Sequence, residues 1–160
     1  IAAVNGYCLA GGMTLLMATD IRVATENASF GLSEGKRGIL PGNGGTQRTL
    51  RQLPYPIAMW LLLSGERLSA EEALKYGLIN EIVSTSELMS EAERRASIIC
   101  DNGPLAVRAI KELAVKSQYM QLEQGLRMEV MMQSLLKTTE DAAEGPKAFA
   151  EKRKPIFKGK

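Results

Sequence analysis

Three residue types near the start of the chain could act together on a carbonyl group. Gly11 and Gly12 close the run Asn5-Gly6-Tyr7-Cys8-Leu9-Ala10-Gly11-Gly12, which reads as a buried strand turning directly into a helix from Met13 to Ala18. Glycine lets a substrate come up to the backbone, and the first N–H groups of a helix have no partner inside it. Donors placed there can meet a developing negative charge, the chemistry of an oxyanion site. Close helix–strand packing would require the same two glycines. Glu34 follows Phe30-Gly31-Leu32-Ser33 at the end of a short apolar strand. A carboxylate among apolar neighbours is stripped of part of its hydration, which suits a general acid or base; a capping or solvent-facing glutamate would read the same locally. Thr14 lies one turn into the glycine helix. Its hydroxyl could hold a water or a substrate oxygen, or bond its own backbone.

Composition removes several other chemistries. The chain has 160 residues and no histidine, which excludes Ser-His and Cys-His relays and leaves no expectation of a metal site. Lys+Arg number 20 against 18 Asp+Glu, a net +2 that gives no global argument for nucleic acid. Cys8 and Cys100 are far apart in apolar settings and read as reduced thiols of a cytoplasmic protein. No apolar run reaches membrane-spanning length. The loop Gly42-Asn43-Gly44-Gly45-Thr46 invites a nucleotide, but it has no lysine after Gly45, and Gln47 stands where a dinucleotide fingerprint needs its third glycine. The basic end, with Lys147, Lys152, Arg153, Lys154, Lys158 and Lys160 around Phe149 and Phe157, reads as a phosphate-holding segment or as a solvated tail.

The elements that must position these residues are legible in outline. Strands are predicted at 1–4, at 20–24 by polar–apolar alternation, at 28–31 and at 78–83. A glycine-rich turn covers 38–45, Thr46 caps a helix through Leu53, and Pro56 opens a helix that ends at Gly65. Ser69-Ala70-Glu71-Glu72 is a capping box, and Gly77 closes its helix. After Val83 everything reads as helix: 86–100, 104–120, 121–137, and a shorter stretch over 138–154 broken near Gly145-Pro146. The chain thus divides into a strand–helix core, 1–83, and a helical region, 84–160. Met120, Leu126, Met128, Met131, Met132 and Leu135 form an apolar stripe suited to packing or to contact between subunits.

In this order the motifs resemble those of the crotonase, or enoyl-CoA hydratase/isomerase, family. The residues that carry the resemblance are NGYCLAGG at 5–12, TDIRVAT at 19–25, ASFGLSE at 28–34, RGILPGNGGTQR at 37–48, SGERLSAEEALKYGLINEIV at 64–83 and AFAEKRKPIF at 148–157. The resemblance implies an α/β fold: a crotonase-like ββα spiral core, here incomplete, followed by an α-helical C-terminal trimerisation region, with trimers often paired into hexamers. It implies an acyl-CoA thioester substrate, with coenzyme A part of that substrate and no separate cofactor, and neither nucleic acid nor membrane as partner. An enolate-like thioester oxyanion would be held by two backbone N–H groups. One corresponds to Gly11, with Gly12 and Leu32 beside the substrate. The other belongs to a segment before the Asn5-Gly6-Tyr7 strand, so the chain, which opens at Ile1 inside a strand, is expected to be an N-terminally truncated piece. Phe149 and Lys152 match tail positions that reach the CoA of a neighbouring subunit.

Hydratases of this family typically use two glutamates. The second matches Glu34, while the first matches Thr14, which carries no carboxylate. The resemblance therefore implies a hydratase/lyase with Glu34 as single acid/base and Thr14 orienting water or a hydroxyl. A double-bond isomerase, which needs one base, is the alternative, and a non-catalytic oligomerisation module is the other. The 160-residue chain by itself is expected to be nearly inactive.

Overall fold

The computed structural model describes residues 1–160 and divides them into two compact units, Ile1–Ala96 and Ser97–Lys160. In the first unit the chain makes two passes of the same form. Strand β1 (Ala2–Val4) and strand β2 (Tyr7–Leu9) are followed by helix α1 (Gly11–Leu16), then by β3 (Arg22–Thr25) and β4 (Ser29–Gly31). β3 lies parallel to β1 with Ala2 opposite Arg22, and β4 parallel to β2 with Leu9 opposite Gly31. A parallel partner cannot be reached by a tight hairpin, so each strand finds its neighbour one pass later and the chain alternates between two sheets. β6 (Glu81–Val83) extends the first sheet to the order β1-β3-β6, and β5 (Arg67–Ser69) runs antiparallel on β4 to give β2-β4-β5. The last strand ends at Val83, and the boundary between the compact units falls inside the next helix, α5 (Leu88–Cys100).

Three local readings change. The strand expected at 20–24 is displaced to Arg22–Thr25, and all four of its residues are buried because β3 is central, flanked by β1 and β6. Its alternation therefore does not mark a wet face. Helix α2 (Gly45–Gln52) is entered through left-handed Asn43 (φ 52°) and Gly44 (φ 87°), with Gly44 at the cap. Thr46 lies inside the first turn and caps nothing. β5 was not anticipated, being only three residues that lead straight into a helix. Two helix signals hold. Helix α3 (Tyr55–Ser64) has Pro56 in its first turn and left-handed Gly65 after its last. Helix α4 (Ala70–Lys75) carries both capping-box bonds, Glu72 N–H to Ser69 Oγ at 3.1 Å and Ser69 N–H to Glu72 Oε2 at 2.9 Å.

The core of this unit contains Met13, Leu16, Met17, Phe30, Leu32, Leu61 and Leu78, and one cation penetrates it. Arg22 is only 7% exposed. Its guanidinium donates to Leu78 O (3.0 Å), Thr19 O (2.8 Å), Gln52 Oε1 (2.7 Å) and Thr19 Oγ1 (3.3 Å), while its backbone N–H donates to Asn80 Oδ1 (2.7 Å). Gln52 passes the link on to Met17 O (2.9 Å). Burial pushes the Arg22 pKa below its ordinary value, with Asp20 opposing. Cys8, in the same core, is pushed up to about 11 by burial, with Arg22 pulling it back in part. Cys100 sits at the end of α5 and is exposed, not in the expected apolar setting.

In the second unit, helix α6 (Pro104–Ser117) packs on α7 (Leu122–Leu136). α7 buries none of its residues and leaves Leu122, Leu126, Val130, Met131 and Leu135 exposed. Helix α8 (Glu140–Ala150) runs unbroken through Gly145 and Pro146, contrary to the expected interruption. Bonds at its N-terminal end support it: Thr139 Oγ1 accepts from Ala142 N–H at 3.2 Å, and buried Asp141 accepts from Lys158 N–H (2.7 Å) and Gly159 N–H (2.8 Å). Glu144 accepts from Arg153 and from Ile156 N–H, and these partners hold its carboxyl down at about 2. The basic end is thus tied back onto α8 instead of trailing in solvent. No helix is long and apolar enough to cross a membrane.

Two outcomes follow from the buried groups. Arg22→Met strands the acceptors at Leu78, Thr19 and Gln52 and should cost about 3 kcal/mol of unfolding free energy in urea; a loss under about 1 kcal/mol would show that the guanidinium is not a structural tie. Cys8 holds its proton more tightly when folded. Its contribution is therefore complete below the unfolded thiol value near 9 and is lost as pH rises through about 11. A thiol-specific chromogen at pH 8 should titrate one cysteine, Cys100, at once, and Cys8 only on unfolding or in strong alkali.

Candidate active site

The parallel pair β2–β4 brings the two sequence candidates to one edge. Gly11 follows the C-terminal end of β2 by two residues and Glu34 follows that of β4 by three. Beyond the last paired residues, Leu9 and Gly31, one more backbone bond ties the strands' exits together, from Ala10 N–H to Gly31 O at 2.9 Å. The carboxyl ends of adjacent parallel strands are where open α/β sheets place their ligands.

Ala10 is the unusual residue of this edge. It caps α1 at φ 50°, ψ −120°, a conformation that L-residues avoid and that costs on the order of 1–3 kcal/mol. Nothing in the sequence signals an alanine there; glycine would be the expected type. The neighbouring glycines have a different reason to exist. A Cβ added at Gly11 or Gly12 would meet nothing within 4 Å, and neither has a positive φ. No close packing within this chain calls for glycine at either position.

Glu34 begins a 3₁₀ turn, Glu34–Arg37, that packs against α3 and ends at left-handed Gly38. Its Oε2 atom is buried and has no hydrogen-bond partner, a state shared only with the strand hydroxyls of Thr25 and Ser29. Buried carboxylate oxygens are ordinarily bonded; this one leaves an acceptor unused beside a strand exit.

Thr14 is buried at 6% exposure, and its hydroxyl donates to Ala10 O at 3.3 Å. The hydroxyl hydrogen is thereby engaged, and the oxygen keeps its acceptor lone pairs. Gly45 presses on it: a Cβ at Gly45 would lie 2.7 Å from Pro41 Cβ, 3.3 Å from Thr14 Oγ1 and 3.8 Å from Leu32 Cδ2. Leu32 is fully buried in the core and does not form an open surface. Gly12 is exposed beside Gly11. Phe149, 87% exposed, and Lys152, at φ 54°, lie at the end of α8 in the second unit. A cavity of about 570 Å³ lies elsewhere, between β6 and α5. Its lining includes Glu26, Glu81, Glu87 and Glu91 together with Arg94, so acidic groups outnumber the one cation.

Comparison with known proteins places the chain and its fold in a family. The family model described as enoyl-CoA hydratase/isomerase matches residues 1–160. Among curated relatives, an (E)-benzylidenesuccinyl-CoA hydratase from Thauera aromatica is 45% identical over 159 residues, covering 99% of this chain and 62% of the relative. A carnitinyl-CoA dehydratase from Salmonella paratyphi A is 45% identical over 166 residues, covering 100% of this chain and 63% of the relative. The crystal structure of an enoyl-CoA hydratase from Mycobacterium tuberculosis H37Rv superposes with a TM-score of 0.95 at 39% identity, covering 99% of this chain and 63% of that one. The chain belongs to the enoyl-CoA hydratase/isomerase (crotonase) family, and its α/β fold is that family's. It spans about three-fifths of the length of the curated relatives it matches.

If the glycines serve an approaching group and not packing, methyl groups should fit the fold. Gly11→Ala and Gly12→Ala should each leave the unfolding free energy unchanged or raise it by up to about 1 kcal/mol. A loss above about 2 kcal/mol in chemical denaturation would return these positions to a packing role.

Proposed function

We propose that the protein is a CoA-thioester hydratase/lyase in which the Gly11 N–H receives the thioester oxygen and Glu34 alone handles the proton. The observation that carries this is the joint exit of β2 and β4, with Ala10 N–H tied to Gly31 O and Glu34 Oε2 buried without a partner. In the forward sense Glu34 takes a proton from water as the water oxygen bonds to C3 of a 2-enoyl thioester. The electron pair of the C2–C3 bond moves to the thioester, whose oxygen is held as an oxyanion at Gly11. Glu34 then returns the proton to C2. Coenzyme A enters with the substrate, so no separate cofactor takes part. A single oxyanion donor is worth about 2.7–4 kcal/mol of transition-state stabilisation. Exposed Phe149 with Lys152 would meet the CoA of a neighbouring subunit, and the uncovered apolar face of α7 would be a subunit contact of a trimer or hexamer. The names of the two curated relatives, a hydratase and a dehydratase, favour addition or removal of water.

One observation favours a second reading. With the Thr14 hydrogen engaged at Ala10 O, Glu34 is left as the only proton-handling group, which suffices for a 1,3-shift of a double bond. Incubating the full-length protein with 2-enoyl-CoA and 3-enoyl-CoA in D₂O separates the two, water addition marking the hydratase and bond migration alone the isomerase. Glu34→Gln should lower either turnover by about 10²-fold or more with an unchanged unfolding midpoint. Parental turnover would remove Glu34 from the mechanism, and a parent inactive on every acyl-CoA tried would favour the assembly-module alternative.

A further inference from the structure

We infer that Thr14 is a positioning residue: its hydroxyl, acting through the Ala10 carbonyl, sets the direction of the Gly11 N–H. The inference rests on the reading of Gly11 as the oxyanion donor. Three bonds converge on Ala10, whose conformation would otherwise relax. Its N–H is spent on Gly31 O at 2.9 Å, and its carbonyl accepts from Thr14 N–H at 3.0 Å and from Thr14 Oγ1 at 3.3 Å. The carbonyl of Ala10 and the N–H of Gly11 belong to one planar trans peptide and point in opposite directions across it. Whatever fixes the carbonyl therefore fixes the N–H. With the carbonyl drawn down onto the first turn of α1 by both Thr14 donors, the Gly11 N–H is turned out of the helix.

The hydroxyl has little freedom to do otherwise. Thr14 is buried, and Gly45 lies against it so closely that even a Cβ there would come within 3.3 Å of Oγ1. Gly45 itself is hemmed in by Pro41 and Leu32. The start of α2 thus lies close to Thr14, with Gly45 N–H fixed to Gly42 O at 2.9 Å. This explains a loop that fits no nucleotide motif: its small residues let α2 start directly over the threonine. A strained peptide held by two donors on one oxygen is pre-organised, and misdirecting an oxyanion donor lowers turnover without weakening the binding of the remote CoA portion.

The test uses the full-length protein with Thr14→Val, which keeps the shape and removes the hydroxyl, and Thr14→Ser, which keeps the hydroxyl. Thr14→Val should lower kcat roughly 10- to 100-fold with KM changed less than about twofold, and Thr14→Ser should restore kcat to within about threefold of the parent. The Gly11 amide resonance should move in Thr14→Val and stay in Thr14→Ser, a readout available whether or not turnover can be measured. An unchanged kcat and an unmoved Gly11 amide in Thr14→Val would overturn the proposal. So would equal losses in Val and Ser variants accompanied by a lowered unfolding midpoint, the mark of a packing role. Replacing the Gly11 amide by an ester deletes the N–H and also weakens the Ala10 carbonyl as an acceptor, so the ester is read beside Thr14→Val to separate the two claims. Full turnover of the ester defeats the donor reading itself, whereas a crippled ester beside an unaffected Thr14→Val defeats only the role of Thr14.

Discussion

A guanidinium is among the most expensive groups to place in a core unless each of its donors finds an acceptor. Arg22 engages four of its five N–H donors, with acceptors from three separate places: Thr19, three residues beyond α1, Gln52 at the end of α2, and Leu78 in the segment before β6. These segments are distant in sequence; pairing of β3 with β6 brings the Thr19 and Leu78 segments together, and the guanidinium adds Gln52 to them. The buried charge makes their meeting obligatory, because any one of them leaving would strand a donor in apolar surroundings. Cys8 carries the imprint of the same environment, its proton held up to about 11 by burial while the nearby cation pulls the other way.

This tie fixes one end of α1, and Ala10 fixes the other. At the far end, Thr19 and, through Gln52, Met17 are held by the Arg22 network. At the near end, the strained alanine is bonded to Gly31 on one side and to Thr14 on the other. A six-residue helix has little stability of its own; this one is tied by hydrogen bonds at both ends. Rigidity there matters for the chemistry proposed, since an oxyanion donor must be aimed before the charge develops. The unfavourable φ of Ala10 persists because its surroundings over-determine it.

The second unit shows the same economy with opposite charges. Asp141 and Glu144, both in the first half of α8, gather the backbone N–H groups of Ile156, Lys158 and Gly159 and the guanidinium of Arg153. Acidic groups near a helix N-terminus are favoured by its dipole, and here they also capture the chain end. Phe157 is thereby brought within about 4 Å of where a Cβ would stand on Gly103 and on Gly145. A helix so buttressed tolerates Pro146, although the ring removes one bond from its ladder.

Local signals in the sequence determined what depends on neighbours a few residues apart. The Ser69–Glu72 box, the Pro56 start, the Gly65 and Gly77 stops and the strand-to-helix turn at the glycines were legible because their physics is confined to one turn of chain. The six motifs in register were enough to indicate the family, and they singled out Gly11 and Glu34 without showing that parallel β2 and β4 bring their exits together. What only the tertiary structure decided involves partners far apart in sequence. The burial of all of β3, the short edge strand β5, the Arg22 tie, the capture of the tail by α8, and the engagement of Thr14 with Ala10 beneath Gly45 all belong here. No window of sequence contains both members of such a pair, and a polar residue reads as exposed until the groups that satisfy it are seen around it.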